Sequence, residues 1–300
     1  MILSIKKLLF ILLVLTIKLG YITNLNAEEL YPAYLIEIPS SIENVFIADI
    51  ENAKLIQYSV EKNRPIKNQE YYMSVGKNGS GKKIQGDKKT PLGVYFITEK
   101  LDISKLPPRY GAAAYPLDYP NSLDRYMKKT GYGIWLHGTD PDILKRPPRD
   151  TDGCLALQNK QLLELSEYLV PMNTPIIVVK TINWKTEDQL NLIRNELHEV
   201  LGAWKLSFES SESERFVSFY DTNVLMSSIS EYSIIEDSSV IKKSIVIMDL
   251  TIIGDPLKSD IVLTRFTQKI RYNDIISAEK KRLYWQKQKD GWKIIATDLI

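Results

Sequence analysis

Cys154 and His137 are the residues of this chain whose types and spacing could do covalent chemistry. Cys154 is the single cysteine among 300 residues, and His137 is one of two histidines. Both lie in the stretch WLHGTDPDILKRPPRDTDGCLALQN, 17 positions apart, and each is next to a glycine. A cysteine attacks as its thiolate, so it needs a neighbour that accepts its proton. The pair therefore indicates a cysteine nucleophile with a histidine base.

The neighbouring glycines fit the same chemistry. Gly153 leaves room for a substrate carbonyl, and the N–H groups of Gly153 and Cys154 can point at the oxyanion that develops during attack. The carbonyl of Gly138 can orient the imidazole of His137. From spacing alone an alternative stays open, in which Cys154 is a small core residue and His137 a hydrogen-bonded histidine at a strand end.

Short strands and one helix must position this pair. Between residues 43 and 182 the pattern predicts a mostly β domain with one packed helix, and the proline-rich loop before Cys154 can fold back towards His137. Residues 110–129 are irregular and suit a cleft wall or lid. The predicted strands are 45–50, 54–60, 70–76, 92–100, 131–138 and 174–180, and the predicted helix is 158–169.

A second domain is predicted for residues 185–300. A helix over 186–204 and a shorter one over 213–221 come first, and alternating strands follow, with a tight hairpin at Asp290-Gly291. Helices followed by a long antiparallel sheet predict an α+β domain.

The N-terminus reads as an export signal. Leu8–Ile17 is an apolar run that follows Lys6 and Lys7 and is too short to span a bilayer, and Ala27 precedes two glutamates. This pattern predicts a signal peptide over residues 1–27, with an uncleaved anchor as the alternative. Residues 28–42 form an apolar lead-in for which we predict a contact with a second copy of the chain, as in a homodimer.

Composition excludes several classes of function. A formal net charge of +2 does not indicate a nucleic-acid partner, and one cysteine cannot form an internal disulfide. No group of residues has metal-ligand spacing, so we expect no metal and no cofactor. The stretch GKNGSGKKIQGDKK lacks the GxxxxGK[ST] pattern of a phosphate-binding loop and is predicted to be a mobile basic loop near the substrate.

Three ordered motifs resemble the L,D-transpeptidase catalytic domain, the YkuD-like fold. Its active-site signature is a His-Gly pair followed, after a spacer, by Ser/Thr-x-Gly-Cys, which here is His137-Gly138 and Thr151-Asp152-Gly153-Cys154. The stretches VFIADIENAKLIQYSVE and GDKKTPLGVYFIT are similar to the family's opening hairpin and its Thr-Pro-x-Gly strand. The resemblance implies a β-sandwich with a packed helix, in which Cys154 and His137 are catalytic and Gly138 orients the histidine.

The C-terminal residues resemble an NTF2-like domain. The stretch LGAWKLSFESSESERFVSFYDTNV and a sheet that ends in LYWQKQKDGWKIIATDL carry that similarity. Together with the predicted signal peptide, this order of domains is similar to the periplasmic L,D-carboxypeptidases that set cell shape in helical and curved Gram-negative bacteria. In this second domain Tyr284, Trp285 and Trp292 can bind a glycan or a protein, or can pack the domain's own core.

The motif departs from the family at two positions. Wall cross-linking members carry a polar residue or histidine before Gly-Cys and an arginine two positions after the cysteine; here those positions are Asp152 and Ala156. An arginine can hold a carboxylate with two hydrogen bonds, and alanine cannot. The departure is similar to members that hydrolyse rather than cross-link.

The resemblance implies peptidoglycan stem peptides as the substrate. Three functions stay open: an L,D-carboxypeptidase that trims D-Ala from tetrapeptide stems, an L,D-transpeptidase, and a wall-binding scaffold without catalysis. Intact catalytic residues argue against the scaffold.

Arg149 or Arg146 can replace the missing arginine, or either can be a solvated loop charge. The candidate substrate-binding residues are Trp135, Thr139, Arg149, Asp152 and Tyr132, with Tyr115 and Tyr119 as further candidates for the cleft wall, and Trp135 has a core position as its alternative.

Overall fold

The structure is a computed structural model that describes residues 28–61, 64–143, 145–224, 229–237 and 242–300. The signal peptide expected over residues 1–27 lies outside these residues. Within them, no helix has the length and apolar character needed to cross a membrane.

Strands dominate the described residues. Their bounds are β1 (Leu30–Pro32), β2 (Leu35–Glu37), β3 (Asn44–Asp49), β4 (Lys54–Glu61), β5 (Arg64–Gly76), β6 (Gly93–Phe96), β7 (Ala114–Pro116), β8 (Trp135–His137), β9 (Arg149–Thr151), β10 (Leu155–Leu157), β11 (Pro175–Val179), β12 (Trp184–Thr186), β13 (Lys243–Gly254), β14 (Ile261–Tyr272), β15 (Ile275–Gln288) and β16 (Gly291–Leu299).

The helices are fewer than the strands in the described part of the chain. They are α1 (Ser122–Tyr126), α2 (Asn159–Leu165), α3 (Glu187–Glu209), α4 (Ser213–Ser218) and α5 (Ser230–Glu236). Turns of 3₁₀ helix cover Ile103–Lys105, Pro108–Tyr110 and Ser166–Tyr168.

The first domain is built on a nine-stranded sheet. Its order is β6-β11-β3-β4-β5-β10-β8-β7, and β9 pairs with β5. The β3–β4 hairpin turns at Ala53, which has a φ of 52°. Leu162 and Leu165 on α2 are fully buried against the sheet, in one core with Phe46, Met73 and Leu136. The mostly β architecture with a packed helix is therefore confirmed.

The second domain is a five-stranded antiparallel sheet covered by α3. The strand order is β16-β15-β14-β13-β2. Thr186 caps α3 in a reciprocal capping box with Gln189, which fixes the start of the helix. Leu197, Trp204 and Phe208 are fully buried on the face that packs against the sheet. The expected α+β order and the hairpin at Asp290-Gly291 are both confirmed.

Two strands are shorter than the sequence predicts. The predicted strand 131–138 is only β8, because Gly131 and Gly133 have φ values of 103° and 72°, outside the β region. The predicted strand 92–100 is reduced to β6, since the chain leaves the ladder after Phe96. Conversely, β5 starts at Arg64, six residues before the predicted strand 70–76.

The apolar lead-in contacts its own chain, and a contact with a second copy stays a prediction. β2 pairs with β13 at the edge of the second sheet. Tyr34, Leu35 and Ile36 are at most 4% exposed. Their apolar side chains are therefore covered within one chain.

The aromatic residues that were candidates for binding in the second domain are core residues. Tyr284 and Trp285 are at most 1% exposed, and Trp292 is 7% exposed. The Trp285 indole N–H donates to the hydroxyl of Thr264 at 2.9 Å, and the Tyr284 hydroxyl donates to Asp298 at 3.0 Å. Of the two alternatives, the structure selects packing of the domain's own core.

The two sheets share an apolar and ionic seam. Phe96 and Val94 of the first sheet pack in one buried cluster with side chains of β13–β16. The guanidinium of Arg282 lies 5.2 Å from the centre of the Phe96 ring. It pairs with Asp118 of the first domain and, at 3.3 Å, with Asp298. The second domain thus contacts the segment that follows β7, the neighbour of β8.

Candidate active site

Cys154 and His137 line one cavity of about 570 Å³ in the first domain. The strands explain their proximity: β10 runs parallel to β8, with Leu155 opposite Leu136 and Ala156 opposite His137. The cavity is lined by Lys77, Lys82, Gln85, Gly86, Arg109, Tyr110, Gly131, Tyr132, Gly133, His137, Arg146, Asp150, Thr151, Asp152 and Cys154.

The imidazole of His137 is held in one tautomer. His137 is 4% exposed, and its Nδ1 lies 2.6 Å from the carbonyl oxygen of Gly138. A carbonyl only accepts hydrogen bonds, so Nδ1 carries the proton and Nε2 has the free lone pair. The ring of Tyr110 meets the imidazole edge to face, with 5.2 Å between the centroids. This geometry leaves Nε2 as the base, which is the arrangement that the sequence-based hypothesis requires of Gly138.

Asn159, at the first position of α2, clamps the chain where it leaves β8. Its Oδ1 accepts the backbone N–H of Ala112 at 2.9 Å and that of Thr139 at 3.1 Å, and its Nδ2 donates to the Thr139 carbonyl at 2.9 Å. A Cβ at Gly138 would lie 2.2 Å from Oδ1 of Asn159, so this clamp requires glycine after His137.

Cys154 lies at the bend between β9 and β10, half-buried, with its Sγ 3.4 Å from the carbonyl oxygen of Gly133. The preceding residue, Gly153, has a φ of 131°, and a Cβ there would lie 2.8 Å from the Lys89 carbonyl oxygen. Only glycine adopts this backbone conformation without strain. The Gly-Cys pair is therefore dictated by the path of the chain as well as by access to the sulfur.

Of the two N–H groups predicted for the oxyanion, that of Gly153 has a partner within the turn. Its N–H donates to the hydroxyl of Thr151 at 3.1 Å, and the same hydroxyl donates to the Cys154 carbonyl at 2.7 Å. The Gly153 N–H is therefore already paired within the turn. This leaves the Cys154 N–H as the donor of the predicted pair that we propose for the oxyanion.

Burial keeps both catalytic candidates neutral at rest. It lowers the pKa of His137 to about 4 and raises the pKa of Cys154 to about 11. The hydrogen bond to Gly138 works against the first shift, and one from the Trp135 backbone works against the second. The positive charges of Arg146 and Arg109 lower both pKa values. At neutral pH the pair is a thiol beside a neutral imidazole, so the proton moves during attack.

The basic loop that lines one wall is braced from inside, whereas the sequence suggests a mobile loop. Lys82 is buried and pairs with Asp87 at 2.8 Å. The Asp87 carboxylate also accepts the backbone N–H groups of Lys83, Ile84 and Lys89, and these contacts hold its pKa at about 2. The loop lies beside the cavity, as predicted, but a buried ion pair organises it.

The structure divides the other predicted binding residues into two groups. Tyr132 and Asp152 line the cavity, and both are exposed. Trp135, Thr139 and Arg149 are not among the lining residues. Trp135 packs on Tyr110, Thr139 is buried under the Asn159 clamp, and Arg149 pairs with Glu51 at 2.9 Å. Tyr115 and Tyr119 are core residues, each at most 5% exposed.

Two features of the site have no strong signal in the sequence. Arg109 and Tyr110 belong to the 3₁₀ turn Pro108–Tyr110, which the sequence indicates only as an irregular stretch. Asn159 is typical of a helix start, which hides its contact with Thr139 from sequence reasoning. No group of three or more metal-ligating side chains occurs among the residues that the structure describes.

Comparisons with known proteins match both domains. Residues 43–178 match YkuD, the L,D-transpeptidase catalytic domain, and residues 196–298 match the Cds6 C-terminal NTF2-like domain. Among solved structures, Bd1075 of Bdellovibrio bacteriovorus is 27% identical, with a TM-score of 0.76, over 90% of this chain and 98% of that one. Pgp2 of Campylobacter jejuni, a helical cell shape determining protein, is 26% identical, with a TM-score of 0.70, over 93% and 97%. No curated protein matches the chain.

The first match covers the domain that holds Cys154 and His137, so this domain is similar to an L,D-transpeptidase catalytic domain. The similarity to Bd1075 and to Pgp2 extends over both domains of the chain.

Proposed function

We propose that this chain, whose residues 43–178 match the L,D-transpeptidase catalytic domain, is a peptidoglycan L,D-carboxypeptidase that contributes to cell shape. It would remove D-Ala from tetrapeptide stems by cleaving the bond after meso-diaminopimelate. The observation that carries the proposal is the cavity in which a half-buried thiol, Cys154, lies beside His137, a histidine of fixed tautomer.

In the first half-reaction, Nε2 of His137 takes the proton of the Cys154 thiol as the sulfur attacks the carbonyl of meso-diaminopimelate. The Cys154 N–H donates to the oxyanion, a contact of a kind that is worth roughly 100- to 1,000-fold in rate. The C–N bond then breaks, His137 gives its proton to the amine of D-Ala, and a thioester remains on Cys154.

In the second half-reaction, Nε2 of His137 takes a proton from water, and the oxygen attacks the thioester carbonyl. The C–S bond breaks and the proton returns to the sulfur. The resting pair of thiol and neutral imidazole is thus regenerated, and the tripeptide stem leaves with a free carboxylate.

Support for hydrolysis over transfer comes from Ala156. This residue takes the position at which the resemblance places an arginine in cross-linking members. It is 2% exposed and lies in β10, opposite Ser74 on one side and His137 on the other. The methyl group offers no donor for a second stem peptide.

Similarity to Pgp2, a cell shape determining protein, supports the role in cell shape. Residues 1–27 would direct export to the periplasm of a Gram-negative bacterium, where the substrate occurs. The NTF2-like domain is proposed to be non-catalytic, because the described part of it has no cysteine and its one histidine, His198, pairs with Glu37 on the surface.

The test uses purified Glu28–Ile300 with a defined disaccharide-tetrapeptide, read by mass spectrometry beside Cys154→Ala. Loss of one D-Ala without dimer formation, abolished in the variant, is the expected result. Cross-linked dimers would show an L,D-transpeptidase instead, the second candidate, which the matched family itself favours. If neither the trimmed stem nor a dimer forms, both candidate functions are overturned.

A further inference from the structure

The cavity that holds Cys154 and His137 has to bind the C-terminal D-Ala, the part of the stem peptide that is released. This inference rests on the proposed carboxypeptidase function, in which D-Ala departs with a free carboxylate. A carboxylate that enters a partly buried cavity needs a positive partner, and a guanidinium provides two parallel donors. Ala156 cannot serve, so the partner must come from elsewhere on the cavity wall.

The lysines on that wall are already paired. Lys82 is buried in its ion pair with Asp87. Lys77 lies 3.9 Å from Asp152. Two arginines remain among the lining residues, Arg109 and Arg146. Arg146 also pairs with an acid, Asp150, but a guanidinium has five N–H donors and this contact does not use all of them.

Arg146 is held in place by main-chain and side-chain contacts. Its Nε donates to the Asp150 carboxylate at 3.0 Å and one Nη to the Asp150 carbonyl at 3.2 Å. Its own carbonyl accepts the hydroxyl of Tyr72 at 2.7 Å. With its side chain 18% exposed, the guanidinium is pre-oriented, and binding costs little further side-chain entropy.

Arg109 has no acidic partner in the part of the chain that the structure describes. Its guanidinium stacks on Tyr110, 5.0 Å from the ring centre, and donates to the Tyr110 hydroxyl at 3.2 Å. Tyr110 in turn packs on the imidazole of His137. Arg109 therefore lies on the histidine side of the cavity, where the leaving amine must receive its proton.

We propose that Arg109 and Arg146 bind the terminal carboxylate of the departing D-amino acid and make the site specific for a free C-terminus. In D-Ala, one carbon separates the carboxylate from the amine that His137 protonates. Arg109 stacks on Tyr110, which packs on His137, so its guanidinium is on the side of the cavity where this carboxylate would lie. Arg146 reaches the cavity from the β8–β9 loop. Both arginines line the same cavity as Cys154 and His137.

The test compares two substrates on the whole chain Glu28–Ile300: a disaccharide-tetrapeptide that ends in D-Ala, and the same compound that ends in D-alaninamide. We expect the unaltered chain to prefer the acid. In Arg109→Gln and Arg146→Gln, kcat/KM for the acid should fall by about 10- to 100-fold, the range for one charge-assisted hydrogen bond, and that for the amide should stay the same.

Arg149→Gln is the matched control, because Arg149 begins β9, three residues after Arg146, but pairs with Glu51 and does not line the cavity; it should change neither rate. Equal losses on acid and amide would overturn the proposal, and so would an unaltered chain that consumes both equally. Arg109 is exposed, so its variant stays informative if Arg146→Gln fails to fold. If the chain makes dimers instead, the proposed hydrolysis fails, while consumption of acid against amide still tests the arginines.

Discussion

Arg109 in the cavity and Arg282 in the seam between the sheets have similar aromatic contacts and different charge environments. Each guanidinium stacks on a ring, at 5.0 Å from Tyr110 and 5.2 Å from Phe96. Arg282 is buried and paired with two carboxylates, whereas Arg109 is exposed and has no acidic partner among the described residues.

The difference separates stability from recognition. A buried arginine whose carboxylates belong to both domains fixes the seam, because removing it leaves charges without a partner in a place that water does not reach. An exposed arginine beside a reacting pair adds little to the fold and keeps its donors for a ligand. Substitutions in the cavity should therefore change rates, and substitutions in the seam should change the free energy of unfolding.

The largest effect is expected at His137. His137→Gln should lower kcat by about 100- to 10,000-fold, since the general base is lost, with little change in stability at pH 7.5. The folded pKa of about 4 lies below the usual 6.5, so between these values only the unfolded chain binds the proton. Wild-type stability therefore falls as pH drops from 6.5 to 4, by about 2–3 kcal/mol at pH 4.5, and the variant should lack this component. Urea unfolding of both chains at the two pH values measures it; an equal pH dependence would contradict it.

The seam should give the largest effect on stability. Arg282→Gln leaves Asp118 and Asp298 without their buried partner and should cost about 3–5 kcal/mol in the free energy of unfolding. The matched control is Arg125→Gln, since Arg125 pairs with Asp298 at 3.4 Å but is 58% exposed, and it should cost less than about 1 kcal/mol. Denaturant melts measure both. Similar losses in the two variants would contradict the assignment of this stability to the buried guanidinium of the seam.

Asn159 should affect both the rate and the stability, because it holds the chain next to His137. Asn159→Ala removes three hydrogen bonds from the chain around Thr139 and should lower kcat by about 10- to 100-fold, with KM nearly unchanged, because His137 loses its fixed position. Asn159→Asp keeps the acceptor for the two backbone N–H groups and should recover part of kcat. A variant that loses stability but keeps kcat would show that the clamp is only structural.

The smallest effect is expected at Asp255, a buried acid near the seam without an ion pair among the described residues. Burial raises its pKa to about 6 from 3.8, so between these values the folded chain alone holds the proton, and stability rises as pH falls. Asp255→Asn keeps the acceptor for the N–H groups of Leu257 and Lys258. It should stabilise the chain by about 1–2 kcal/mol at pH 7.5 and not at pH 4. Thermal melts at the two values check this, and a gain at both would contradict the titration.

Sequence reasoning identified the two domains because their signals are local. Two short β-rich runs separated by a turn predicted β3 and β4, and the helical spacing of Leu190 and Leu197 predicted α3. The pairing of β2 with β13 joins residues more than 200 positions apart and leaves no local pattern. The short β8 depended on glycine torsions that composition does not reveal.

Within the site, the motif predicted the cavity positions of Cys154 and His137 but not the contacts around them. The hydroxyl of Thr151 takes the Gly153 N–H, a side-chain contact that competes with the oxyanion role. Arg149 and Arg146 were equivalent in the sequence, and only the paths of their side chains separate a partner of Glu51 from a residue of the cavity wall. Such choices depend on three-dimensional neighbours rather than on spacing.

The position of β2 at the edge of the second sheet affects how the chain folds. β2 is made more than 200 residues before its partner β13, so their pairing has to close a long loop of chain, which slows folding. Until then, β13 presents an open row of backbone donors and acceptors to other chains. A truncated protein that starts after residue 42 would keep that open edge and is expected to aggregate.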